Sequence, residues 1–184
     1  MLPTSSEDLH TASGREHELH SDVAFLHGKI LGMSSEGMVR TPEAGGYSLE
    51  LRGGKVRVHE PVTGVLDIRY HGIGHAAFVP EIQRGANQRI REGHIVTICV
   101  DASELASYDT DFRKQWTSWF AENKGHYQQV PILFRSSLVR MGINLVNPLI
   151  GNMILPFTER SEYEGAVQRA VARARNPAQK ARIA

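Results

Sequence analysis

His94-Ile95-Val96-Thr97-Ile98-Cys99-Val100 is the stretch on which the fold turns. After its histidine the run is apolar but for one threonine, with three β-branched residues in a row at Ile95, Val96 and Thr97, and this suits a strand buried on both faces. Such a strand needs neighbours and covering layers, and the flanking sequence supplies them. Upstream, Phe78, Ile82, Ala86 and Ile90 recur every four residues with Arg84, Gln88 and Arg91 opposite, and Pro80 suits a first helical turn. An amphipathic helix ending near Gly93 is predicted. Downstream, Asp109 or Ser107 can cap a second helix with Phe112, Trp116, Trp119 and Phe120 on one face. Val130 to Phe134 reads as a further strand, and Ser136 or Ser137 opens a third helix with Leu138, Met141, Leu145 and Leu149 in register. Met153 to Phe157 closes the sheet. Ser161 with Glu164 forms a capping box before a fourth helix striped by Tyr163, Ala166, Val167, Ala170 and Val171.

On the N-terminal side, Tyr47 to Leu51 and Lys55 to His59 alternate apolar and polar residues around Gly53-Gly54, the pattern of an antiparallel hairpin. Val65 to Tyr70 adds a third strand after the turn from Pro61 to Gly64. Strands that alternate with helices pair in parallel through right-handed crossovers. The expectation is therefore an α/β fold: a mixed sheet with an N-terminal antiparallel hairpin, about four helices packed against it, and His94 to Val100 at its centre. The folded domain is read as 46–174. Residues 1–45 form a weakly structured extension rich in Ser, Thr, Gly, Glu and His, and 175–184 a basic tail.

Composition narrows the function. The 184 residues are 41% hydrophobic and 22% charged, and 21 basic against 20 acidic residues give a net charge of +1. No overall field draws nucleic acid. One cysteine, Cys99, excludes a disulfide-stapled domain and a cysteine-rich zinc module, which fits a cytoplasmic setting. The N-terminus carries acid where an export signal carries base, and the uncharged run from Met141 to Thr158 is broken by Pro148 and Pro156, so neither export nor membrane spanning is expected.

Chemistry-bearing patterns are sparse. His17 with His20, and His71 with His75, have helical metal spacing, but glycines interrupt the second pair and no carboxylate pattern completes either site. These histidines read as solvated, and no metal or cofactor is expected. No nucleophile elbow occurs, Cys99 lies inside a predicted strand, and Gly72-Ile73-Gly74-His75-Ala76-Ala77 lacks the third glycine of a dinucleotide loop and the lysine of a phosphate loop. The chain is accordingly read as not an enzyme. Trp116 and Trp119, in register with Phe112 and Phe120, are read as core.

The third helix stands out. Apolar residues surround much of its circumference, Leu138, Val139, Met141, Ile143, Leu145, Val146, Leu149 and Ile150, which is more than one sheet-facing side requires. Met141, Leu145 and Leu149 are the candidate partner contacts.

The order of elements from Lys55 to Ala174 resembles the STAS fold of sulfate transporters and anti-sigma-factor antagonists, in its diverged bacterial sporulation-antagonist-like branch. The residues that carry it are Val65 to Gly72, the strand end Val96 to Ser103, and the third helix followed by Phe157 and the last helix. Phosphorylated antagonists of this kind carry Asp-Ser-Ser-Gly at the start of the second helix, eight residues past the aspartate that ends the strand. Asp109 stands eight beyond Asp101, so the resemblance makes Thr110 the candidate phosphoacceptor. Asp111 and Phe112 replace the motif's second serine and its glycine, and Asp109 and Asp111 would repel a phosphate. The resemblance implies a noncatalytic regulatory module that docks a protein partner, or a second copy of itself, through the second and third helices, with Asp109 and Asp111 beside the contact. Its alternative is a carrier or sensor of a hydrophobic small molecule or a membrane surface, as in lipid-transfer relatives. An exposed apolar helix face with no cavity supports docking, a closed apolar pocket large enough for a lipid-sized ligand supports carriage, and converging polar groups in a cleft would point to catalysis.

Overall fold

The protein is described from a computed structural model covering residues 37–176. The chain enters the sheet at β1 (Val39–Glu43), inside the stretch 1–45 read as an extension. That reading is corrected for residues 39–43. Nearly every side chain of β1 is exposed, so no apolar alternation marks it, and its edge position tolerates Pro42, which has no N–H to give a ladder. Its anchor is Tyr47 on the next strand, over whose ring the Arg40 guanidinium lies at 3.9 Å.

β2 (Gly46–Leu51) and β3 (Gly54–Val62) pair antiparallel with Leu51 opposite Gly54. A connection this short needs positive φ at both central residues, and Arg52 (φ 42) and Gly53 (φ 79) supply it. β4 (Val65–Gly74) completes the antiparallel half. From there the chain alternates: α1 (Phe78–Arg91), β5 (Thr97–Tyr108), α2 (Thr110–Glu122), β6 (Val130–Phe134), α3 (Ser137–Val146) with a 3-10 turn at Asn147–Ile150, β7 (Ile154–Phe157) and α4 (Arg160–Arg175). The sheet order is β1-β2-β3-β4-β5-β6-β7, antiparallel up to β4 and parallel from β4 onward. The mixed α/β sheet expected from the sequence is thus present.

Sequential parallel strands joined by crossovers of one hand place their connecting helices on one face. The larger core accordingly packs Phe78, Ile82, Trp119, Phe120, Val139 and Ile143 against Ile68, Ile98 and Val130. The alternate residues Val65, Cys99 and Leu133 meet Tyr163 and Ala170 of α4, which follows the last strand and covers the other face.

Several boundaries differ from the sequence reading: β4 runs on past Tyr70 to Gly74, and the third helix, read through Leu149, gives way to a 3-10 turn after Val146. The strand read at His94 to Val100 starts at Thr97, after an isolated bridge from Val96 to Tyr127, and runs on to Tyr108. It lies beside β4, which is the middle strand of the seven. Its extension 101–108 mixes polar with apolar residues and is bulged against β4 between Arg69 and His71. Asp101 holds that bulge by accepting from the Ser103 N–H at 3.0 Å and from its hydroxyl at 2.6 Å. The Ser161 and Glu164 capping box does not form. α4 begins at Arg160, whose guanidinium reaches the buried Asp101 at 2.9 Å, and this ion pair anchors the first turn two residues earlier.

Candidate functional site

α3 is fixed at its two ends. Ser136 caps it by accepting from the Val139 N–H at 3.1 Å. At the far end the Asn147 amide clasps β7, its Oδ1 accepting from the Ile154 N–H at 2.8 Å and its Nδ2 donating to the Ile154 carbonyl at 3.3 Å. Between these ends the helix divides by face. Val139, Ile143 and Val146 are buried, with Ile150 of the following turn. Met141, Leu145 and Leu149 are 64%, 54% and 67% exposed. Met141 and Leu145 lie one turn apart on the outward face of α3, and Leu149 of the 3-10 turn that follows extends the exposed apolar row. The sequence brought both sets forward without separating them, because a helix apolar nearly all round does not announce which side meets the sheet.

The predicted contact residues at the start of α2 divide as well. Asp109 caps the helix, Oδ1 accepting from the Phe112 N–H at 2.7 Å, while Oδ2 accepts from the Ala76 N–H at 3.0 Å. Both oxygens are therefore committed, and the residue ties α2 to the connection before α1. Thr110 and Asp111 are exposed, and Asp111 lies 3.4 Å from the Lys114 ammonium. Trp119 is buried as expected, with its indole N–H donating to Asn87 at 2.8 Å. Trp116 is half-buried, because one side of it faces an apolar cavity of about 120 Å³ between α2, α3 and the sheet. Sequence reasoning placed a ligand space there only as an alternative. Its volume depends on side-chain packing that no residue pattern encodes.

The opposite face of the sheet carries polar groups that sequence reasoning missed. Asp67 and Asp101 are buried. Asp67 accepts from the Arg69 guanidinium at 2.9 Å and from the Tyr163 hydroxyl at 3.3 Å. Burial works against the charged form of Asp101, yet hydrogen bonds from Ser103 and Arg160 together with the Arg160 charge outweigh it and hold the carboxyl below the usual range. Burial, with the Asp67 charge nearby, pushes the Cys99 thiol up to about 12, which keeps it protonated and unreactive near neutrality. Each of these groups has a fixed partner or an apolar shell, and together they latch α4 onto the sheet. His71 and His75 are far from forming a pair: His71 is exposed, and the His75 ring rests edge-on to Phe78 at 5.5 Å. His17 and His20 lie outside the described residues. Among the described residues no helix is long and apolar enough to cross a membrane.

The fold and site define a mixed-sheet α/β domain with one apolar helix turned partly outward. No protein family model matches the chain, and no curated protein does either. Among solved structures the chain is similar to an uncharacterized protein of Shewanella loihica PV-4 with a SpoIIAA-like fold, at 11% identity and a TM-score of 0.48, covering 64% of this chain and 96% of that one. It is also similar to the Bacillus cell fate determinant SpoIIAA in its phosphorylated form, at 18% identity and a TM-score of 0.47, covering 62% of this chain and 98% of that one. The anti-sigma factor antagonist SpoIIAA in its unphosphorylated form is similar at 18% identity and a TM-score of 0.45, over 64% of this chain and 96% of that one.

Proposed function

We propose that this protein is a noncatalytic regulatory module that docks a protein partner through the outer face of α3, with the exposed first turn of α2 at Thr110 and Asp111 as the flanking contact. The observation that carries the reading is the row of Met141 and Leu145 on α3 and Leu149 on the 3-10 turn after it, each more than half exposed beside a helix face that is already buried. Three large apolar side chains in one row are the kind of anchor that a protein interface desolvates first. The noncatalytic part is supported by the buried carboxylates of Asp67 and Asp101, which are committed to Arg69, Tyr163, Ser103 and Arg160 rather than converging on a free cleft. The sequence resemblance to anti-sigma-factor antagonists agrees with it. A lipid carrier is the weaker reading, since about 120 Å³ lies below the roughly 300 Å³ at which pockets for drug-sized ligands begin.

The test is capture of partners from native cell extract by the full chain and by Leu145→Asp, with light-scattering mass and intact-mass spectra of both. Loss of a specific captured protein in the variant, with an unchanged melt, is the expected result. Loss of a dimer instead would name a second copy as the occupant. The same captured set and the same mass for both chains would overturn the reading. A mass increment of one phosphate that disappears in Thr110→Ala would identify Thr110 as the switch.

A further inference from the structure

The sheet face that carries α4 holds two successive cross-strand pairs between β3 and β4: Arg57 stands directly opposite Arg69, and His59 opposite Asp67. These four side chains line a mostly polar depression of about 220 Å³. Like charges directly opposite one another on neighbouring strands repel, so the arginine pair costs the sheet stability unless something lies between them. Both guanidiniums reach solvent, the side chains being 52% and 54% exposed. Each has one acid beside it. Arg57 meets Glu43 of the edge strand β1 through Nε at 2.6 Å, and Arg69 meets Asp67 through Nε at 3.2 Å and Nη2 at 2.9 Å.

The depression is rich in donors and poor in acceptors. Asp67 is buried and both its oxygens are spent, Oδ2 on Arg69 and Oδ1 on the Tyr163 hydroxyl at 3.3 Å. Among the described residues no acceptor meets the terminal nitrogens of Arg57, Nη1 of Arg69 or the His59 ring in hydrogen-bond geometry. The His59 ring lies close against the turn before β2, where a Cβ on Gly45 would come within 2.9 Å of it. An arginine fork accepts an oxyanion along a whole edge, and one anion between two such forks turns a repulsive pair into a bridged one. Glu43 occupies only the Nε side of Arg57, and an ion pair with a half-exposed guanidinium is worth little.

We propose that the depression formed by Arg57, His59 and Arg69 is a binding site for a phosphate group, as the free ion or a small monoester, which bridges the two guanidiniums. Glu43 and Asp67 balance the two arginines while the site is empty, so the guest has to win Arg57 from Glu43. A phosphate near neutrality brings close to two charges and three acceptor oxygens, enough for both forks. A carboxylate brings one charge and two oxygens, and one fork saturates it. Glu43 on the edge strand is the side chain displaced, whereas Asp67 stays with Arg69 and Tyr163. The inference stands apart from the docking reading, since the site lies on the opposite face of the sheet from α3.

NMR titration of the full chain with inorganic phosphate, glycerol phosphate and acetate, at one fixed ionic strength, tests it. Both phosphates are expected to bind saturably and to shift the side-chain resonances of Arg57 and Arg69, and acetate to bind at least about tenfold more weakly. Arg57→Gln, at an exposed position, should weaken phosphate at least about tenfold and leave the melt unchanged. Glu43→Gln removes the competitor and should tighten phosphate about two- to fivefold, the worth of an exposed ion pair. Arg91→Gln, an exposed cation at the end of α1, should change nothing. Tighter binding of the ester would name an organic phosphate as the occupant, and equal binding the free ion. The proposal is overturned by absence of saturable phosphate binding, by acetate binding as tightly as phosphate, or by an affinity that Arg57→Gln leaves unchanged or that Arg91→Gln lowers as much.

Discussion

Asp101 does three things with one carboxylate: it shapes the β5 bulge through Ser103, accepts the Arg160 guanidinium, and so fixes where α4 begins. Its folded pKa lies below the unfolded value, so the stability it contributes is present above about pH 3.9 and is lost as pH falls through the lower folded value. Urea unfolding of the wild-type chain at pH 7, 5, 4 and 3 should show that acid limb, and Asp101→Asn should flatten it. At pH 7 the variant is expected to lose about 1.5–3 kcal/mol, the range for a hydrogen bond to a charged group. Equal acid limbs in the two chains would remove Asp101 from this role. None of it was legible in the sequence. Nothing in their strands sets Asp67 and Asp101 apart from the exposed polar residues beside them, and their partners come from Tyr163 and Arg160, far along the chain.

Elements were more legible than their limits. The first helix and the hairpin around Gly53 follow from short-range pattern alone, and they form where expected. β1 escaped because an edge strand exposed along its length has no buried face to write into its sequence, and β5 outran its apolar core because bulged pairing with β4 extends it through polar residues. On α3 the hydrophobic pattern gave the helix and left its orientation open. A pair of substitutions on that one element resolves the two faces by stability. Ile143→Asp puts a charge into the core and should cost upward of about 3 kcal/mol or abolish the cooperative melt. Leu145→Asp, on the exposed stripe, should stay within about 0.5 kcal/mol of the wild-type chain in urea unfolding. If Leu145→Asp unfolds the protein as Ile143→Asp does, the outward stripe is core and the docking surface does not exist.

At the scale of the whole molecule, a sheet whose spatial order repeats its chain order has neighbours in sequence as neighbours in space, but it loads its two halves unequally. β4 and β5 are paired on both sides. They carry Ile68 and Ile98 in the larger core, and Val65 and Cys99 in the smaller one. β1 is paired on one side only and is exposed along almost its whole length. Local opening should therefore peel the sheet from β1 inward before the parallel half loosens, because the backbone bonds there are shielded by the fewest apolar contacts. Native-state hydrogen exchange reads this directly. Amides of β4 and β5 are expected to exchange only through global unfolding, and those that β1 commits to β2 at least about tenfold faster, a difference of about 1.4 kcal/mol or more in opening free energy. Protection in β1 equal to that in β4 would mean that the edge is covered by something outside residues 37–176, and the sheet would then have to be understood together with that cover.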